Sequence, residues 1–430
     1  MNEQAARDGG DMIWPVPLSA RRGLVHPAFA WSGFTSAFAS ILIGARLQAE
    51  LGTLDALLAS VLGCWLLFIY SAAIGFAAGR WGLTSQLMLA AVFGRAGAII
   101  PGALLALLVA GWFGFHVVLT VTVLTEALGI AALPGIWFFA FGALFAAPVV
   151  LGLSRGFGFT AIAFPAMVFY AGAVTLRDIV PNLDTLLDGP LDGSLSFGTG
   201  VCVAFGMFVV SGTMTGDIVR YCRTGNEAVQ AMAIGFIFSN LPFLILGVLL
   251  GAAGISLPAL FARHDPLSLV LLGLVVLSHW TTCDACLANA SVTLKGAFPR
   301  LPFAAAAAGA ALIGVLLALA GAMDDVFAWA TFLTAVVPPI GGIIVADYYV
   351  MRGHIGFSRG RDLRVNVAAL IALAIAVGAA LVIRSAYMAE ITPLVGAPIA
   401  GLVYLALATF APTSLGARLG RDSLGAEAID

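Results

Sequence analysis

The stretch that decides the fold runs from Leu277 to Asn289 and reads L-S-H-W-T-T-C-D-A-C-L-A-N. It lies inside a segment apolar enough to cross a lipid bilayer, yet it carries hydroxyl groups, an imidazole and the carboxylate of Asp284. An ionised side chain at the centre of a bilayer costs about 3 kcal/mol, so such residues face a cavity or a partner rather than lipid. Thr281 and Thr282 place two hydroxyl oxygens side by side, and hard cations accept oxygen ligands. The stretch therefore predicts a transport site inside a membrane helix.

The composition is that of a membrane protein rather than a soluble one. Of the 430 residues, 61% are hydrophobic and 10% are charged, and the mean hydropathy is +1.05. Soluble domains have about 25% charged residues. The formal net charge of −2 argues against a nucleic-acid partner, and no obligatory protein partner is indicated. We therefore predict an all-α polytopic membrane protein that is surrounded by the lipid bilayer.

Twelve segments are apolar over the length of about 20 residues that a helix needs to cross a bilayer. A polar tail, residues 1–26, precedes them, and a second tail, residues 412–430, follows them. The longest polar connection runs from Arg177 to about Ser194, so no separate soluble domain is expected. The predicted spans are 27–49, 53–79, 97–125, 133–153, 157–176, 196–218, 229–254, 266–290, 303–322, 326–349, 365–384 and 391–410.

The Lys and Arg residues predict the orientation of the chain, because they collect on the cytoplasmic side of membrane proteins. With the N-terminus inside, all but four of the 20 Lys and Arg residues fall on that side. The exceptions are Arg46, Arg177, Arg263 and Arg384. Both termini are therefore predicted to be cytoplasmic, in a multi-pass protein of a bacterial-type inner membrane.

Two spans contain glycine and hydroxyl residues at mid-membrane depth, which is the pattern of interrupted helices. The first span reads G-F-T-S-A-F-A-S-I-L-I-G from Gly33 to Gly44, and the sixth reads G-M-F-V-V-S-G-T-M-T-G-D from Gly206 to Asp217. Their positions correspond if spans one to five and six to ten are inverted repeats, and paired interruptions of this kind mark transporter binding sites. Ordinary close packing of small residues between helices is the alternative explanation.

Two other spans carry candidates for function. Trp112 lies in the middle of the third span, where its ring either packs or is exposed to a planar ligand. His116 follows it by one turn on the same helix face, as a functional candidate or as a hydrogen-bonded structural residue. In the tenth span, Pro338 and Pro339 predict a bend that either forms a gate or is static.

Five motifs, in the same order and with the same spans between them, resemble those of the cytosine permeases in the nucleobase–cation symporter family. They are P-V-P-L-S-A-R-R-G (Pro15 to Gly23), G-W-F-G (Gly111 to Gly114), S-G-T-M-T-G-D-I-V-R (Ser211 to Arg220), W-T-T-C-D (Trp280 to Asp284) and P-P-I-G-G-I-I-V-A-D-Y (Pro338 to Tyr348). The resemblance implies a twelve-helix transporter with the fold of the sodium-coupled leucine transporter. Its ten-helix core, residues 27–349, would consist of inverted repeats at about 27–176 and 196–349, with two additional helices within 350–411.

The resemblance also implies where the two ligands bind. In that family the base stacks between an aromatic residue of the third helix and one of the sixth, and the corresponding residues here are Trp112 and Phe208. The sodium ion is held by carbonyl groups of the first helix and hydroxyl groups of the eighth. The corresponding residues are Ala37 and Ser40 for the carbonyl groups, and Thr281 and Thr282 for the hydroxyl groups. Hydroxyl groups that bond back to their own helix are the structural alternative.

The chain departs from the family at positions that would read the base. Cytosine permeases have a glutamine where this chain has Val109, and asparagines where it has Cys283 and Ala285. The stacking platform and the ion site are retained, while the polar groups that distinguish one base from another differ. The candidate replacements are Ser211, Ser278, His279 and His116.

These features predict a secondary active transporter, not an enzyme. It is expected to import a nucleobase, namely cytosine or a related pyrimidine, together with a co-transported sodium ion by alternating access. One alternative is a transporter of the same fold for a purine, a hydroxymethylpyrimidine or an amino acid. The other is coupling to protons through His116, His279 or Asp284 instead of coupling to sodium.

Overall fold

The apolar segments form helices because a helix pairs its backbone N–H and C=O groups internally, as a lipid environment requires. The computed structural model describes residues 13–129, 134–153, 163–186, 193, 195–256, 260, 261, 265–322, 324–351, 364–385, 390 and 392–410. The predicted C-terminal tail, residues 1–12 of the predicted N-terminal tail and the predicted start of the fifth span lie outside the described residues.

Within the described residues, the α-helices are labelled in chain order. They are α1 (Val25–Thr35), α2 (Phe38–Leu51), α3 (Thr53–Trp81), α4 (Ser85–Phe93), α5 (Ile99–Leu128), α6 (Pro134–Val150), α7 (Ala163–Val174), α8 (Phe197–Thr213), α9 (Gly216–Val219), α10 (Gly225–Gly235), α11 (Leu241–Ala252), α12 (Pro266–Ala297), α13 (Phe303–Leu319), α14 (Val326–Val336), α15 (Pro338–Ala346), α16 (Val367–Ser385) and α17 (Thr392–Phe410). Short π-helical segments follow α7 (Thr175–Ile179), α10 (Phe236–Asn240) and α15 (Asp347–Met351), and 3₁₀ helices span Leu18–Ala20 and Val180–Thr185.

Many of these helices have the length and composition of membrane spans. Among the described residues, seven helical stretches pass that test, and the bent pair formed by α1 and α2 adds an eighth when it is counted as one span. Four shorter apolar helices, α6, α8, α13 and α17, coincide with the remaining predicted segments. The protein is therefore a multi-pass helical membrane protein, as predicted from its composition.

The predicted interruption of the first span is confirmed. The axes of α1 and α2 are bent by 50° relative to each other. The residues between the two helices are Ser36 (φ −74°, ψ 51°) and Ala37 (φ −90°, ψ 136°). The sixth span is also interrupted, because α8 ends at Thr213 and the one-turn helix α9 begins at Gly216. In the tenth span, α14 ends and α15 begins at the predicted proline pair.

Two features differ from the sequence-based expectations. Helix α7 continues through π and 3₁₀ turns to Thr185, so the start of the predicted polar connection belongs to the fifth span. There, Arg177 forms an ion pair with the buried Asp178 (Nε to Oδ2, 2.7 Å). The unpredicted helix α4 connects the second and third spans, and the Ser85 N–H at its start donates to Asp217 Oδ1 at 2.9 Å. The segment after α7 is polar enough to resemble a loop in sequence, whereas α4 is apolar but has only nine residues, too few for a membrane span.

The motif from Pro15 to Gly23 forms hydrogen bonds with the ends of two spans. The Arg21 guanidinium donates to the carbonyl oxygens of Gly79 (2.9 Å) and Arg80 (3.1 Å), at the C-terminal end of α3. It also lies 3.4 Å from the carbonyl oxygen of Arg223, just before α10. A cation at a helix C-terminus is stabilised by the helix dipole, so Arg21 joins the N-terminal segment to this end of the bundle.

Helices α2 and α11 approach closely enough for their backbones to be in contact. An ideal Cβ on Gly44 would lie 2.1 Å from the carbonyl oxygen of Leu244, and one on Gly247 would lie 2.0 Å from that of Ile41. Small residues at helix interfaces allow such an approach in membranes. The second half of the first span is therefore held directly against the seventh.

We expect Gly247→Val to lower the yield of folded protein sharply, because overpacking of a tight contact costs about 1–3 kcal/mol. The matched control is Gly273→Val on α12, where an added Cβ meets nothing within 4 Å. Size-exclusion profiles and melting temperatures of the detergent-solubilised variants measure the difference. Equal behaviour of the two variants would contradict the close approach.

Candidate functional site

The break in the first span is the centre of a hydrogen-bond network between three helices. On one side, the Thr35 hydroxyl donates to the carbonyl oxygen of Gly235 on α10 at 2.8 Å. The hydroxyl groups of Ser36 and Ser239 lie 2.9 Å apart, and Ser239 also donates to the carbonyl oxygen of Ser32 at 3.0 Å. Irregular backbone is tolerated at membrane depth only where it is buried in protein or lines a cavity. These bonds show that the break is surrounded by protein, so the condition is met.

The eighth span contacts the other side of the same break. The Ser278 hydroxyl accepts a hydrogen bond from the Phe38 N–H at 3.1 Å and donates to the carbonyl oxygen of Ser36 at 3.3 Å. One side chain of α12 therefore bonds to the backbone on both sides of Ala37. The stretch Leu277 to Asn289, which the sequence marks as a site, lies against the interrupted first span.

The two threonines of the predicted ion site lie one turn beyond Ser278. Thr281 and Thr282 both donate their hydroxyl hydrogens to the carbonyl oxygen of Ser278, at 3.0 and 2.9 Å. These are the hydrogen bonds to the same helix that the sequence analysis gave as the structural alternative. A hydroxyl group has one hydrogen and two acceptor lone pairs, so a hydroxyl that donates to its own helix still has an oxygen lone pair for a cation. The two interpretations of the threonine pair are therefore compatible.

The first-span residues of the predicted ion site lie at the start of α2. Ala37 is in the extended conformation and its carbonyl oxygen accepts the Ser40 N–H at 2.9 Å. The Ser40 hydroxyl donates to Asn240 Oδ1 at 2.8 Å, and Asn240 donates in turn to Cys64 Sγ at 3.4 Å. The predicted sodium ligands thus lie on the two elements, α2 and α12, that Ser278 joins.

Ser239 and Asn240 are site residues that the sequence analysis missed. They belong to the π-helical segment Phe236–Asn240 between α10 and α11, and both are buried. Single-turn π segments inside α-helices occur frequently at functional sites. The available signal was the pair of polar residues, S-N, in the otherwise apolar seventh span.

The two predicted stacking residues lie on different helices, and Phe208 lies beside the break. Phe208 on α8 contacts the ring of Phe34, just before the break, edge-on at 5.7 Å between centroids. Trp112 on α5 contacts the ring of Phe115 at 5.5 Å. Trp112 and Phe208 remain 5% and 6% exposed, whereas Phe113, next to Trp112, is fully buried. Both residues therefore keep a small exposed fraction.

The other residues predicted to contact the substrate are buried. Val109 and Cys283 are fully buried, and the Cys283 thiol lies 3.7 Å from the carbonyl oxygen of Phe113, at the contact between α5 and α12. His116 and Ser211 each remain 3% exposed. The roles of these four residues, and of Ser278, in substrate binding stay predictions.

Comparisons with known proteins agree on one family. The sequence model described as "Permease for cytosine/purines, uracil, thiamine, allantoin" matches residues 15–397. The cytosine permease of Escherichia coli (strain K12) is 30% identical over 370 residues, which cover 85% of this chain and 87% of that protein. The relatives are permeases and not enzymes.

Two solved structures show the same fold. Mhp1, a nucleobase-cation-symport-1 family transporter in a closed conformation with bromovinylhydantoin bound, aligns with a TM-score of 0.79 at 21% identity, covering 96% of this chain and 98% of that one. A sodium-coupled sialic acid symporter in a substrate-bound outward-open state aligns with a TM-score of 0.67 at 12% identity, covering 95% and 96%.

Proposed function

Because the chain belongs to the family of permeases for cytosine, purines, uracil, thiamine and allantoin, we propose that it imports cytosine or a related pyrimidine by sodium-coupled alternating access. The observation that carries the proposal is the contact of Ser278 with the backbone on both sides of the first-span break. The Ser278 carbonyl oxygen also accepts hydrogen bonds from both Thr281 and Thr282, which supports an ion site near the interrupted helix. The similarity to a sodium-coupled symporter supports the choice of ion.

The proposed architecture has twelve membrane spans. Residues 27–176 and 196–349 form two inverted repeats of five spans, and two additional spans lie within 350–411. The interrupted first and sixth spans occupy corresponding places in the two repeats, which supports this division. Both termini are cytoplasmic, in the inner membrane of a bacterial-type cell.

The proposed sodium site lies between α2 and α12. The carbonyl oxygens of Ala37 and Ser40 and the hydroxyl oxygens of Thr281 and Thr282 supply its ligands, all of them the neutral oxygen donors that suit a hard monovalent cation. The ion would hold the two elements together as Ser278 does. Sodium and substrate therefore favour the same conformer, and each raises the affinity for the other.

The proposed substrate site lies between the third and sixth spans. The flat base stacks between Trp112 and Phe208, both of which keep a small exposed fraction. Stacking contributes about 0.5–1.5 kcal/mol beyond burial and does not distinguish one heterocycle from another. Specificity is left to polar neighbours such as His116 and Ser211, so a purine or hydroxymethylpyrimidine is the second candidate substrate.

A panel of ligands tests the proposal on the purified protein. We expect cytosine to raise the melting temperature, more strongly with sodium than with potassium, because sodium favours the binding-competent conformer. Uracil, adenine, a hydroxymethylpyrimidine, hydantoin and an amino acid complete the panel. Stabilisation by another ligand alone would reassign the substrate, and stabilisation that is independent of sodium but changes with pH would favour proton coupling.

A further inference from the structure

Two buried histidines are in contact between the third and eighth spans. The rings of His116 on α5 and His279 on α12 lie 5.4 Å apart between centroids. They belong to a continuous series of ring contacts, from Trp112 to Phe115 (5.5 Å), His116 (5.5 Å), His279 (5.4 Å) and finally Phe38 (5.8 Å). His279 therefore contacts the third span through His116 and the start of α2 through Phe38.

Thr120 selects the tautomer of His279. Its hydroxyl oxygen lies 2.7 Å from the carbonyl oxygen of His116 and 2.9 Å from His279 Nδ1. A hydroxyl group has a single hydrogen to donate. Both contacts are hydrogen bonds only if Thr120 donates to the carbonyl oxygen and the Nδ1–H group of His279 donates to Thr120. In a neutral imidazole this arrangement leaves a lone pair, and no hydrogen, on Nε2.

The acceptor atom that results has no partner in the described part of the chain. His279 is fully buried, and its Nε2 atom makes no hydrogen bond to any described residue. Buried polar atoms in native proteins are nearly always paired, and an exception calls for a ligand, a water molecule or a functional role. A donor group that arrives during the transport cycle would pair with His279 Nε2.

We propose that His279 determines specificity by accepting, at Nε2, a hydrogen bond from a ring N–H group of the base. Thr120 is the positioning residue that holds the required tautomer. The inference rests on the proposed function and supplies the polar group that the family would otherwise place at Val109 and Cys283. The substrate class is a nucleobase with a free ring N–H group, so a base methylated at that nitrogen is rejected.

The test compares uptake of cytosine with uptake of 1-methylcytosine, as the ratio of their Vmax/KM values. We expect the wild-type protein to favour cytosine by about tenfold, the contribution of one hydrogen bond. His279→Leu should bring the ratio close to one, and His279→Gln, which keeps an acceptor on a side chain of similar length, should restore part of it. Thr120→Val is nearly isosteric and should lower the ratio, because it releases the tautomer.

The matched control is Thr125→Val on the same helix. Its hydroxyl also donates to the carbonyl oxygen four residues earlier (Val121, 2.9 Å), but it lies away from His279. Thr125→Val should leave the ratio unchanged. A Thr120→Val variant that slows the uptake of both bases by the same factor would overturn the inference, since it would show a structural role only.

The failure of the inference is distinguishable from failure of the proposed function. Sodium-dependent uptake of cytosine by the wild-type protein, together with an unaltered ratio in His279→Leu and Thr120→Val, overturns the role of His279 and leaves the transporter proposal standing. Absence of uptake of every base in the panel by the wild-type protein overturns both.

Discussion

Replacing Trp112 with alanine is expected to abolish saturable uptake of the base. The indole is 5% exposed in the middle of α5, and it offers the stacking face on which the proposed site depends. Truncation of a buried aromatic anchor costs about 2 kcal/mol or more, which is about 30-fold in affinity. Uptake of radiolabelled cytosine into proteoliposomes measures the loss, and KM should rise beyond the accessible concentration range.

Two variants separate loss of stacking from loss of fold. Trp112→Phe keeps a ring at the same position and should retain part of the uptake. Trp65→Ala removes an indole that is 45% exposed on α3 and should leave KM unchanged. Normal KM in Trp112→Ala would show that the indole only packs.

Thr282→Ala is expected to weaken the response to sodium strongly while leaving the protein folded. The hydroxyl donates a hydrogen bond to the carbonyl oxygen of Ser278 at 2.9 Å. Loss of this bond costs about 1 kcal/mol of stability. Loss of a polar ligand to a charged ion costs about 1.5–3 kcal/mol. The sodium concentration for half-maximal uptake should therefore rise by about ten- to hundredfold.

Thr282→Ser is the matched control, since it keeps the hydroxyl oxygen and removes only a methyl group. Its sodium dependence should stay within a fewfold of the wild type. If Thr282→Ala and the wild type respond identically to sodium, the hydroxyl is structural. If the wild-type protein takes up the base without sodium and a protonophore stops the uptake, the coupling ion is a proton.

The interrupted first span was predictable from the sequence because its cause is local. Gly33, Ser36 and Gly44 weaken the helix at mid-membrane depth, and the bend of 50° falls between them. The polar character of Leu277 to Asn289 was equally local, since an ionisable side chain in an apolar segment needs a cavity or a partner whatever the fold.

The partners of these segments were not predictable in the same way. The π segment containing Ser239 and Asn240 pairs with Ser36 and Ser40 beside the break, and nothing in the seventh span alone indicates an extra residue in that turn. Helix α4 is held by Asp217 from a distant part of the chain. The tautomer of His279 depends on Thr120, 159 residues earlier.

Membrane insertion, the helical spans and the break in the first of them follow from side-chain hydropathy and backbone hydrogen bonding, which act over about 20 residues. The contact of Ser278 with both sides of Ala37 depends instead on packing between helices that are far apart in the chain. In an apolar environment a buried hydroxyl or imidazole must find a partner, but many geometries would satisfy it. Only the tertiary structure shows that those partners meet at the interrupted helix.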